Sequence, residues 1–152
     1  MKILDVLDKG TVIAELRSRT KREVLEELAA PVAHLSKVEP STIVDVLLER
    51  ERLGSTGIGG GIGIPHGKLK ALDRPVIGLG LSRRGVDFES LDGEPTRIFF
   101  LLMTPENSAG VHLKMLARIS RILKNELFKE RLLQAKTADE VYAILKEEDE
   151  EF

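Results

Sequence analysis

The sequence predicts a three-layer α/β/α domain on a small mixed sheet of about five strands, and three observations carry that prediction. Segments with helical spacing of apolar residues stand at both ends of the chain. Strand-length apolar segments occupy its middle, and the connections among them are both close and crossover. The chain is 152 residues long, the usual size of one domain, and no linker or repeat divides it. Residues 1–152 are therefore read as a single domain with an acidic, solvated tail over 147–152.

The elements follow in order. Thr11 to Leu16 predicts a short strand. Thr20 and Glu23 form a capping box ahead of Val24, Leu25, Leu28, Val32 and Leu35, with Pro31 expected to kink or divide the resulting helix. Glu39-Pro40 opens a second helix, faced by Ile43, Val44, Leu47 and Leu48 and closed by Gly54. Ile58, Ile62 and Ile64 alternate with glycines and predict an extended run. Pro75 to Ser82, Val86 to Phe88 and Arg97 to Met103 are further strand candidates, and Leu91 to Pro95 has turn chemistry. From Ala109 onward the pattern is helical, with Leu113, Leu116, Ala117, Ser120 and Leu123 as the expected inner face. A helix near Glu126 to Ala135 follows, and Thr137 and Glu140 cap a last one.

Composition excludes several functions. With 23 basic and 25 acidic residues the net charge is −2, which leaves no basic footprint for nucleic acid. There is no cysteine, hence no disulfide framework and no thiol nucleophile. Asp5 and Asp8 interrupt the N-terminus where a signal peptide needs an apolar run, so the expectation is a soluble intracellular protein without membrane insertion.

The chemistry concentrates between Gly54 and Lys68, GSTGIGGGIGIPHGK, where seven of the thirteen glycines surround His66. The Walker spacing fails, because five residues separate Gly61 from Gly67-Lys68 and Leu69 follows. The dinucleotide spacing fails too, since Ile62, Ile64 or His66 occupies the place of the third glycine. His34, His66 and His112 are too dispersed for a recognisable metal motif, and Ser55 lacks a nucleophile-elbow context. No metal or cofactor is expected, and His34, Glu51 and Arg52 are read as structural or surface residues. What remains is a histidine that itself carries a group, with glycine N–H groups, Ser55, Thr56, Arg50 and a second imidazole available as donors to a phosphoryl group. The glycines are expected to let those donors and a docking protein reach His66. Ser55 and Thr56 have a plainer alternative, satisfying the end of the helix that bears Arg50.

Arg50 to Lys68, the Leu91-Asp92-Gly93-x-Pro95 turn, the apolar strand after it and His112-Leu113 opening a helix together resemble the fructose/mannitol class of enzyme IIA of the bacterial phosphotransferase system. Within that class the chain looks most similar to the nitrogen-regulatory branch. The resemblance implies a phosphohistidine at His66, supplied by the small histidine-containing phosphocarrier protein. It implies that His112 and Arg50 stabilise the phosphoryl group; Ser55, Thr56 and Gly67 are expected around it as donors on the chemistry alone. It implies a IIB component or a regulatory target as the onward partner. Gly63 stands where the class usually has alanine, which is expected to loosen the segment.

Overall fold

A computed structural model of the chain describes residues 1–150. After a 3-10 turn at Ile3–Asp5, the elements run β1 (Leu7–Ile13), α1 (Lys21–Ser36), α2 (Pro40–Arg52), β2 (Gly57–Gly59), β3 (Ile62–Gly63), β4 (His66–Leu69), β5 (Val76–Val86), β6 (Thr96–Pro105), α3 (Ala109–Ile122), α4 (Glu126–Gln134) and α5 (Ala138–Glu150). The six strands form one mixed sheet in the order β1-β5-β6-β3-β2, with β4 also paired to β6. The β1–β5, β3–β6 and β4–β6 pairs are parallel, whereas β5–β6 and β2–β3 are antiparallel.

Alternation along β6 explains the three layers. Ile98, Phe100 and Leu102 join a core with Met115, Ile119, Phe128, Leu132, Val141 and Leu145 from α3, α4 and α5. Phe99, Leu101 and Met103 join a second core with Val24, Leu28, Val32, Ile43 and Leu47 from α1 and α2. A strand buried on both faces reads as an unbroken apolar run, as Arg97 to Met103 does.

The capping box of α1 is present, with Thr20 accepting from the Glu23 N–H and Glu23 accepting from the Thr20 N–H. Pro31 does not divide the helix. Leu25, Leu28, Ala29 and Val32 bury one face on both sides of it, and that packing outweighs one lost backbone bond.

Several expectations are corrected. β1 begins at Leu7 rather than Thr11, because Asp8, Lys9 and Gly10 are exposed on a strand whose register shifts between Leu7 and Val12. The expected third strand at Val86 to Phe88 is the end of β5. Phe88 leaves the sheet to pack edge-on against Phe99, 5.1 Å between centroids. The inner face of α3 is His112, Met115, Ile119 and Ile122, while Leu113 is 67% exposed. His34 is exposed rather than packed among apolar residues.

Residues 147–150 are not a solvated tail. They complete α5, where Asp149, 1% exposed, accepts from Arg118 Nε and the Leu4 N–H, and Glu148 accepts from Asn125. Residues 151 and 152 of that expected tail lie outside the described residues.

Candidate active site

The glycine segment folds as two pieces rather than one extended run. Gly60 and Gly61, at φ +66° and +78°, turn the chain back so that β2 pairs with β3. Two successive left-handed residues are what a tight hairpin turn requires, and glycine adopts them without a Cβ clash. The tip is then tied down. Asp92 accepts the Gly60 N–H at 3.0 Å, Lys129 Nζ donates to the Gly60 carbonyl at 2.9 Å, and the Gly61 carbonyl accepts both the Arg97 and Ile98 N–H groups. These glycines build the hairpin; they do not surround the histidine.

β3 and β4 lie in succession along one edge of β6, separated at Ile64-Pro65, and the Pro65 carbonyl accepts the Leu102 N–H at 3.0 Å. His66 opens the second piece, opposite Leu102. A methyl on Gly67 would stand 2.5 Å from Val46 Cγ1, so this glycine lets α2 lie directly against β4. Gly63 is likewise tight: a methyl there would meet Phe99 and Thr96 at 3.2 Å, so its lack of a side chain accommodates neighbours rather than loosening the segment.

His66 Nδ1 stands 2.6 Å from the Ile64 carbonyl oxygen. A carbonyl only accepts, so Nδ1 carries the proton and Nε2 is left with a lone pair. His66 is half-buried, and burial lowers its pKa below the ordinary value. The Ile64 carbonyl opposes that shift and Arg50 adds to it. The imidazole is therefore neutral and nucleophilic at neutral pH.

His112, in the first turns of α3, brings its ring to 5.5 Å from that of His66, inclined at 60°. Burial, with His66 and Lys68 adding to it, pushes His112 down to about 4. Its Nδ1 meets the buried Thr104 hydroxyl at 2.6 Å. Arg50, in the last turn of α2, donates from Nη1 to the Gly54 carbonyl at 2.9 Å. His66, His112 and Arg50 thus line one open depression of about 610 Å³, together with Gly67, Val46, Leu53 and Lys68. Leu53 is 82% exposed at its rim.

Ser55 and Thr56 are not brought there. The Ser55 hydroxyl donates to the Phe88 carbonyl at 2.8 Å, and the Thr56 hydroxyl donates to Glu51. Each hydroxyl has one hydrogen, already spent, so neither has a donor for a phosphoryl oxygen.

Glu51, read as a surface charge, is buried instead. It accepts the Thr56 N–H at 3.0 Å and pairs with Lys21 at 2.8 Å. The Thr56 carbonyl accepts the Ile64 N–H, and the Ile64 carbonyl holds His66. Glu51 therefore anchors the loop that orients the histidine. Its place beside Arg50 in the motif was a readable signal; Thr104, at the end of an apolar strand, offered none.

Among the described residues no group of three His, Cys, Asp or Glu side chains is placed to hold a metal ion. Among them also, no helix is long and apolar enough to cross a membrane.

Residues 5–148 match the family described as phosphoenolpyruvate-dependent sugar phosphotransferase system, EIIA 2. The chain is 40% identical over 147 residues to a nitrogen regulatory protein of Bradyrhizobium diazoefficiens, covering 95% of each. It is 35% identical over 150 residues to a fructose-specific EIIABC component of Bacillus subtilis, covering 98% of this chain and 24% of that protein. The crystal structure of nitrogen regulatory protein IIA-Ntr from Neisseria meningitidis superposes with a TM-score of 0.87 at 30% identity, covering 93% of this chain and 97% of that one. The chain belongs to the EIIA type 2 family of the phosphoenolpyruvate-dependent sugar phosphotransferase system.

Proposed function

We propose that this protein is a cytoplasmic histidine phosphocarrier that takes a phosphoryl group onto Nε2 of His66 from the small histidine-containing carrier protein and acts in nitrogen-type regulation. The observation that carries the reading is the bond from Nδ1 of His66 to the Ile64 carbonyl. It points the other nitrogen, with its lone pair, at a depression edged by Arg50 and His112.

In the transfer, the His66 Nε2 lone pair attacks phosphorus while the bond from phosphorus to the carrier's imidazole nitrogen breaks, and that nitrogen keeps the electron pair. The three phosphoryl oxygens stay anionic throughout, so the Arg50 guanidinium and a donor from His112 lower the barrier by charge stabilisation rather than by proton transfer. Half-burial of His66 suits a group that two partners must reach in turn, and exposed Leu53 suits a contact that forms and dissolves.

Phosphoenolpyruvate with enzyme I and the carrier should label the native chain with acid-labile, base-stable phosphate and leave a folded His66→Ala variant unlabelled. Label on that variant overturns the reading.

A second reading is a fructose- or mannitol-type component that passes phosphate to a IIB partner, favoured by the 35% identity to the Bacillus subtilis fructose protein. Transfer from labelled protein to a purified IIB domain separates it from a regulatory protein whose target affinity changes on phosphorylation.

A further inference from the structure

We propose that Thr104 is a positioning residue, whose buried hydroxyl donates to Nδ1 of His112 and so holds that imidazole in the tautomer bearing its hydrogen on Nε2. The inference rests on the reading of His66 as phosphoryl acceptor, and it assigns the donor that meets the phosphoryl oxygens.

Thr104 Oγ1 and His112 Nδ1 are 2.6 Å apart, and both residues are buried. Either atom could in principle donate, since a hydroxyl does both and a neutral imidazole carries its hydrogen on one nitrogen or the other. Three observations decide between them.

The hydroxyl has no second partner among the described residues. If Nδ1 donated, the Thr104 hydrogen would be buried with no acceptor, an arrangement proteins avoid. His112 is neutral at pH 7, held down to about 4 by burial, His66 and Lys68, so it has a single ring hydrogen to place. Its ring stands 5.5 Å from that of His66 in the same depression, so the nitrogen not spent on Thr104 is the one left to meet a phosphoryl group on His66. A lone pair there would repel anionic oxygens, whereas an N–H donates to them.

The fold fixes the pair. Thr104 lies near the end of β6, in register with Lys68 of β4. The turn to α3 is closed by the Ser108 hydroxyl donating to the Pro105 carbonyl at 2.6 Å and by the His112 N–H donating to the Ser108 carbonyl at 3.0 Å.

The test uses the full chain and needs no partner. Long-range proton–nitrogen spectra of the imidazoles should place the His112 hydrogen on Nε2, and Thr104→Val should lose that preference while Thr104→Ser keeps it. Potassium phosphoramidate serves as phosphoryl donor. The His66 lone pair attacks phosphorus, the P–N bond breaks, ammonia leaves with the hydrogens it already carries, and Nδ1 of His66 keeps its own. Thr104→Val should slow this labelling about tenfold, the low end for loss of a contact that orients a functional histidine. Thr104→Ser should restore the rate, and Thr104→Val should add nothing in a His112→Ala background.

A native His112 with its hydrogen on Nδ1 overturns the proposal, as does a Thr104→Val protein with native tautomer and rate. Should Thr104→Val not fold, the spectra of the native and Thr104→Ser proteins decide alone. A native protein with the expected tautomer but no phosphate on His66 overturns the phosphocarrier reading instead and leaves the Thr104 assignment standing.

Discussion

The two halves of the glycine segment use the same residue type to opposite ends. In the hairpin half, the polar groups of the turn are paired: Gly60 gives its N–H to Asp92 and its carbonyl to Lys129, and the Gly61 carbonyl takes two N–H groups. In the histidine half, Nδ1 of His66 is fixed on Ile64, which leaves Nε2 with its lone pair on a ring that lines an open depression. The candidate site lies where one polar group is left without a partner among the described residues, and rigidity where none is.

Acid should separate the halves most strongly. His112 titrates near 4 when folded against an ordinary value near 6.5, so the unfolded chain binds more protons between those limits. Stability contributed by neutral His112 is complete above about pH 6.5 and is lost as pH falls toward 4, by about 3 kcal/mol at full extent. Burial of His66 adds in the same direction. Urea melts from pH 7 to 4.5 should show this slope, and a His112→Gln variant should flatten it. The hairpin tip should hold meanwhile, because the N–H groups of Glu94 and Gly60 keep the Asp92 carboxyl below its usual range.

Glu51→Ala breaks the link that runs into the histidine half from α2. It leaves Lys21 without its buried partner and the Thr56 N–H without an acceptor, so a loss of about 2–3 kcal/mol is expected in chemical denaturation. Labelling of the folded fraction should also slow, because Thr56 positions Ile64 and Ile64 positions His66.

Arg50→Met should leave stability within about 0.5 kcal/mol, since its one bond is to a loop carbonyl at the surface. It should slow phosphoryl acceptance about tenfold or more, through loss of the one guanidinium that lines the depression among the described residues. Equal labelling rates for native and variant would remove Arg50 from the site.

Gly60→Ala is the smallest and the sharpest contrast. A left-handed φ of +66° costs a side chain about 1 kcal/mol, so thermal stability should fall slightly while His66 labelling stays native. A labelling defect would mean that the two halves are not separable.

Much of this was legible. The Thr20 capping box, the proline start of α2, the apolar run of β6 and the nearness of one candidate histidine to a dense glycine cluster are local signals, set by backbone chemistry within a few residues. The misreadings share a different origin. Both Leu113-Leu116-Ser120 and Met115-Ile119-Ile122 have helical spacing, and only the sheet beneath α3 selects the second. Glu148 and Asp149 looked solvated by charge, but Asn125 and Arg118, distant in sequence, make their burial affordable.

The sequence by itself determined the layers and singled out His66 as the candidate histidine, because periodicity, caps and a dense glycine cluster are short-range properties, whereas the glycine hairpin reads in sequence as an extended run and only the pairing of β2 with β3 and of β3 with β6 makes it a hairpin. Tertiary structure alone decided that His66 and His112 share a depression 5.5 Å apart, that Thr104 stands behind one and Ile64 behind the other, and that Ser55 and Thr56 are spent elsewhere. Which nitrogen is free depends on which acceptor or donor lies within about 3 Å, and that is fixed only when β4, β6 and α3 pack together.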